Sequence, residues 1–204
     1  MAELAVIGDR AVEVRRATDT DNAQIAAIWN DEVERGDATT ETQLRTAGTQ
    51  REWLARHGDA HPVIVAVAGG KDTVSGGDES PRTWLRPPVI RPGRAAPGTE
   101  ILAWGSLSPY RPRPAFAASV EDSVYVKAMH RGRGLGATIL AELVGLARER
   151  GYHTVVARIR STNAGSLALH RRMGFDVVGV EREIARVRGR WVDVVIMQLV
   201  FPDP

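Results

Sequence analysis

The most constraining stretch of this 204-residue chain runs from Ser119 to Gly151. Ser119 to Val126 ends in β-branched residues and reads as a strand. Met129-His130-Arg131-Gly132-Arg133-Gly134-Leu135-Gly136 follows as a glycine-rich turn. Leu135, Ile139, Leu140, Leu143, Leu146 and Ala147 then lie on one face of a helix that ends near Gly151. A strand that hands over to a helix through glycines puts free N–H groups and the positive helix end beside one spot. Such a spot attracts an anion, most naturally a pyrophosphate. The spacing is neither of the common nucleotide fingerprints, because Gly136 precedes Ala137 where a P-loop needs Lys-Ser/Thr. A dinucleotide site would also want an acid at the end of the next strand, where this chain has Arg158-Ile159-Arg160.

The remaining pattern alternates in the same way. Ala11 to Arg15 is a short strand, Asp19 to Glu34 a helix carrying Ile25, Ile28, Trp29 and Val33, and Thr49 to Arg56 a second helix. Pro62 to Ala68 is nearly all apolar, as for a strand covered on both faces. Strands follow at Ile101 to Ser108 and His153 to Ile159, a helix capped by Asn163 at Ala164 to Met173, and two last strands at Val177 to Ile184 and Trp191 to Leu199. The expected order is β-α-α-β-β-β-α-β-α-β-β in a single domain over residues 1–204. It is interrupted by a Gly/Pro-rich insertion at 69–98 with six glycines and five prolines.

Composition narrows the function. A net charge of +2 demands no polyanion surface, and the arginines are dispersed rather than gathered in a stripe, so nucleic-acid binding is disfavoured. The absence of cysteine removes disulfides, thiolate nucleophiles and thiolate zinc sites, and no metal is expected. No apolar run approaches a membrane span and Met1 to Val14 lacks a leader pattern, so the chain reads as a soluble cytoplasmic protein.

Arg131-x-x-Gly134-x-Gly136 after Val124-Tyr125-Val126 resembles the acetyl-coenzyme A motif of the GNAT superfamily of N-acetyltransferases. Asn163, Ser166 and Met173-Gly174-Phe175 are similar to that superfamily's helix after its fifth strand. Val120 to Val126, His170 and Gly189-Arg190-Trp191-Val192-Asp193 resemble the phosphinothricin acetyltransferase branch, whereas Glu34-Arg35-Gly36-Asp37 departs from it. The resemblance covers about Val12 to Leu199. It implies an α/β fold with a mixed, twisted sheet of about seven strands, flanked by about four helices, whose fourth and fifth strands splay apart. It also implies acetyl-CoA as cosubstrate and a homodimer.

In that setting Val124, Tyr125, Val126, Arg131, Gly132, Arg133, Gly134, Leu135 and Gly136 would hold the cofactor, with Asn163 and Ser166 on the other wall. An amine must shed a proton before it attacks a thioester. Strand parity puts Glu121, Ser123 and Tyr125 opposite Val120, Val124 and Val126, so Glu121 is the candidate base. His170 is the candidate acid for the leaving thiolate. For a small amino acid analogue of the phosphinothricin or methionine sulfoximine type, Arg111 is the candidate carboxylate partner, with Phe116, Thr39 and Thr40 around the pocket. The alternatives are another amine class (a protein N-terminus, lysine, polyamine or aminoglycoside) or a non-catalytic acyl-CoA sensor. The basic Arg111 and Arg113 argue against polycationic acceptors.

Overall fold

A computed structural model of the chain describes residues 6–7, 10–36, 38–68 and 99–202. The Gly/Pro-rich insertion at 69–98 lies outside the described residues. Seven strands are labelled here: β1 (Arg10–Arg16), β2 (Val63–Ala68), β3 (Ile101–Pro109), β4 (Ser119–Val126), β5 (Thr154–Arg160), β6 (Asp176–Val187) and β7 (Arg190–Val200). The helices are α1 (Asn22–Arg35), α2 (Ala47–Ala55), α3 (Leu135–Glu149) and α4 (Ala164–Arg172). The order is the one the sequence pattern predicts, and most boundaries fall within two residues. A two-residue strand, Val6–Ile7, extends the edge beyond β1, and short 3-10 turns precede α1, β4 and the glycine loop.

The sheet runs Val6–Ile7, β1, β2, β3, β4, β5, β7, β6, antiparallel throughout except where β4 meets β5. Helices cover both faces. On one, α1 and α2 bury Ile25, Ile28, Trp29 and Leu54 against Val63, Val65, Ile101 and Trp104. On the other, the stripe of α3 packs on Ile64, Leu102, Val155 and Met197. β2 is buried on both sides, as its apolar run requires. Gly105 in β3 is fixed by this packing: a Cβ there would stand 2.5 Å from Ile139 Cγ2 and 2.8 Å from Ser123 O, so only glycine lets α3 seat this closely.

The parallel pairing of β4 with β5 lasts for three residue pairs, Ser119–Glu121 against Thr154–Val156. Beyond them β5 follows β7 as far as Arg160 opposite Val194, while β4 follows β3 as far as Val126 opposite Ala103. The two strands therefore diverge and leave a wedge between them.

Candidate active site

The wedge exposes a strand edge whose polarity can be read from the ladder. Tyr110 N–H donates to Ser119 O (3.4 Å) and Lys127 N–H to Leu102 O (2.9 Å), so the odd-numbered residues of β4 bond to β3. The even-numbered residues point the other way: Val120 and Asp122 carry the short pairing with β5, and beyond it the main-chain groups of Val124 and Val126 face the opening. Strand groups without a neighbouring strand are a template for a ligand that carries amides. Below them the chain turns through Gly132 (φ 74°) and Gly134 (φ 80°), left-handed positions that glycine adopts without strain, and α3 begins. The first N–H groups of this 15-residue helix face the same cleft.

The cleft, about 1210 Å³, is lined by β4, the glycine turn, β5 and the start of α4. It gathers Glu121, Val124, Tyr125, Val126, Arg131, Gly132, Gly134, Leu135, Gly136, Asn163, Ser166, His170, Thr39 and Thr40 from the sequence expectations. Leu135 contributes main chain only, since its side chain is buried in the core. Arg131 Nε donates to Val126 O (3.3 Å), and its guanidinium pairs with Glu32, a buried carboxylate of α1 that the sequence reading missed. Asn163 caps α4 by accepting from Ser166 N–H (3.1 Å).

Adjacent carboxyls on β4 have different surroundings. Glu121 faces the α1/α2 side of the cleft, opposite Ser108 in the ladder. Burial pushes its carboxyl above the ordinary range, helped by Asp122 and Glu181 and opposed by Arg158. Asp122, unmarked by the sequence reading, points to the other side and meets His170 Nε2 at 3.1 Å. His170 Nδ1 lies 2.8 Å from Ser166 O, a pure acceptor. Both ring nitrogens therefore face acceptors, which suits an imidazolium between a carbonyl and a carboxylate. Burial works to lower the His170 pKa, but the hydrogen bond and charge of Asp122 and the Ser166 carbonyl together outweigh it and hold the ring above its usual value. His170, the expected acid, lines the cleft but offers no open ring nitrogen in this structure: its side chain is 3% exposed and both nitrogens are engaged. The pair instead ties α4 to β4, the two walls of the wedge.

Three further expected residues, Arg111, Phe116 and Arg133, fall outside the cleft, and a fourth, Tyr125, turns its side chain to another part of it. Arg111 and Phe116 are not among its lining residues; the Arg111 guanidinium sits in the open, 5.1 Å from the Tyr110 ring and 5.4 Å from Phe116. Arg133 is exposed on the turn, outside the lining. The Tyr125 side chain, expected at the cofactor, stacks on Trp104 (4.6 Å between centroids) on the α1/α2 side of the cleft. Burial pushes its phenol up to about 12.

The α1/α2 side of the cleft is instead walled by Trp29, Trp53, Trp104 and Tyr125, with Arg45 among them. The tryptophans were legible only as core residues, because a helical or strand period does not tell a core wall from a pocket wall. Arg45 lies between α1 and α2 in a segment without periodicity, so no pattern marked it.

Comparison with known proteins agrees with this geometry. A model of the family described as "Acetyltransferase (GNAT) family" matches residues 23–175. A curated relative, the L-methionine sulfoximine/L-methionine sulfone acetyltransferase of Pseudomonas paraeruginosa, is 34% identical over 193 residues, covering 93% of this chain and 94% of its own. Among solved structures, a ribosomal-protein-alanine N-acetyltransferase from Brucella melitensis superposes with a TM-score of 0.75 at 33% identity, covering 93% of this chain and 99% of the other. A phosphinothricin acetyltransferase from Sinorhizobium meliloti in complex with acetyl-CoA has a TM-score of 0.75 at 27% identity, over 93% and 88% of the two chains.

Proposed function

The chain belongs to the GNAT acetyltransferase family, and from that premise we propose that it moves the acetyl group of acetyl-CoA onto the primary amine of a small amino acid or analogue, of the methionine sulfoximine or phosphinothricin type. The observation that carries this reading is the open edge of β4 beside Glu121. The main-chain groups of Val124 and Val126 would pair with the amides of the pantetheine arm. The glycine turn and the N-terminus of α3 would take the pyrophosphate, with Arg131 exchanging Glu32 for phosphate oxygen.

In the reaction, Glu121 accepts a proton from the acceptor's ammonium, directly or through one water, and the freed nitrogen attacks the thioester carbonyl. A C–N bond forms and the negative oxygen is held by a main-chain N–H on the open edge. The C–S bond then breaks and coenzyme A leaves as thiolate, which takes up the nitrogen's second proton, directly or through water, so that a neutral amide and the free thiol are the products. A thiol with a pKa near 8.5 is a competent leaving group without a dedicated acid, which suits a site where His170 is fully engaged.

A second copy of the chain belongs to the same proposal. β6 is an edge strand that exposes Val177, Val178, Val180 and Ile184, and Trp191 of β7 is exposed beside them. An apolar edge of this kind is normally covered.

A second reading, a protein N-terminus as acceptor, is favoured by the likeness to the Brucella melitensis structure. Thiol release separates the two, and the chain, having no cysteine, adds no background. With acetyl-CoA, release is expected with methionine sulfoximine, methionine sulfone or phosphinothricin and not with spermidine or an alanine-leading peptide. Release with the peptide alone would replace the amino-acid reading.

A further inference from the structure

The acceptor side of the cleft contains a built cation that no expectation from sequence included. Arg45 is fixed at both ends. Its main chain is clamped by one side chain, with Arg45 N–H donating to Asn30 Oδ1 (2.8 Å) and Asn30 Nδ2 donating to Arg45 O (3.0 Å). Its guanidinium lies 3.7 Å from the Trp29 ring centroid and 4.2 Å from that of Trp53. Nη1 donates to Gln50 Oε1 (3.0 Å), and Gln50, itself fully buried, is held by Asn22. Burial lowers the Arg45 pKa to about 10, which leaves the group charged at neutral pH.

What it lacks is an anion. Among the described residues no carboxylate forms an ion pair with Arg45; Glu41 is within electrostatic reach but unpaired with it, and Arg56 repels it. A guanidinium carries five donor hydrogens, and one of these is used on Gln50. Stacking on two indoles offsets part of the desolvation cost and fixes the plane of the fork. The result is a rigid, partly dry, unsatisfied cation in the wall of a cleft. The Tyr125 hydroxyl is within electrostatic reach of both Arg45 and Glu121, so the cation and the candidate base serve one cavity.

We propose that Arg45, and not Arg111, binds the carboxylate of the acceptor amino acid, so that Glu121 meets its amine while Arg45 holds its acid end. The inference rests on the amino-acid reading above. A planar fork held between two rings matches a carboxylate with two parallel N–H···O bonds, and its burial makes those bonds stronger than an exposed arginine can offer. Arg111, exposed and resting on its own neighbours, has neither property.

The test compares kcat/KM for L-methionine sulfone with that for its carboxamide, whose single change is loss of the negative charge. The wild-type chain should prefer the acid by about 10- to 100-fold, the range for a charge-assisted hydrogen bond. Arg45→Gln should bring that ratio close to one, chiefly by raising KM for the acid, and Arg45→Lys should give an intermediate ratio. The lysine variant keeps the test decisive should the glutamine variant not fold. Equal losses on both acceptors would show that Arg45 only packs the tryptophans and would overturn the inference. So would an unchanged ratio in Arg45→Gln, or a ratio abolished by Arg111→Ala instead. Failure of the amino-acid reading looks different: the wild type would then turn over neither methionine sulfone nor its amide while accepting another amine, and the assignment of Arg45 would fall with it.

Discussion

Glu121 and Asp122 show how one residue step along a strand separates two roles. Glu121 stands in the cleft with its carboxyl raised by burial, whereas Asp122 is buried against His170 and spends its charge on structure. A base must be ionised to accept a proton, so a raised pKa moves the loss of activity toward neutrality. In the wild type kcat/KM should fall as pH drops through the Glu121 pKa, at a pH above the ordinary carboxylate range. Glu121→Gln should lower turnover at pH 7 by at least about tenfold and abolish that acidic limb, since amide chemistry does not titrate. A pH-rate profile of the variant that overlays the wild type would remove Glu121 from the chemistry. The sequence made Glu121 legible because strand parity needs only the alternation of Val120, Val124 and Val126 with their neighbours. Arg45 was not legible, because its meaning comes from three tryptophans on α1, α2 and β3 that meet only in the folded chain. Nor could sequence show that Asp122 and Ser166 occupy both nitrogens of His170.

Among the elements, α3 and the turn before it were the most legible, because the apolar period and the glycines report the same boundary from two sides. The last two strands were visible as strands, yet their placement was not. β7 inserts between β5 and β6, leaving the 12-residue β6 at the edge. Local pattern is silent on sheet order. The pattern does explain why that edge needs a cover: Val178 is 60% exposed and Trp191 59%. The Gly-x-Trp-x-Asp segment also finds a local role, since Asp193 Oδ1 accepts from Glu183 N–H (2.8 Å), where Glu183 adopts a left-handed φ of 49° within the β6–β7 irregularity. Sedimentation should give twice the 22.2 kDa chain mass, and Val178→Lys with Ile184→Lys should shift the species to the monomer. A wild type that sediments as a monomer at tens of micromolar would refute the covered edge.

At the scale of the whole molecule, the site is a defect that the fold keeps open. Two layers of helices hold the sheet from both faces, and β4 and β5 part after three residue pairs while each keeps a continuous antiparallel partner on its far side. The Asp122–His170 pair spans the opening on one face, and the tryptophans with Arg45 wall the other. No helix among the described residues is long and apolar enough to cross a membrane. Amide hydrogen exchange with and without acetyl-CoA tests directly whether the parted strand edge takes the acyl carrier. The expected result is slowed exchange at Val124, Val126 and the turn from Arg131 to Gly136, with the β3-bonded amides of Ser123 and Tyr125 little changed. Saturating acetyl-CoA that leaves exchange at Val124 and Val126 untouched would contradict the proposed mode of binding.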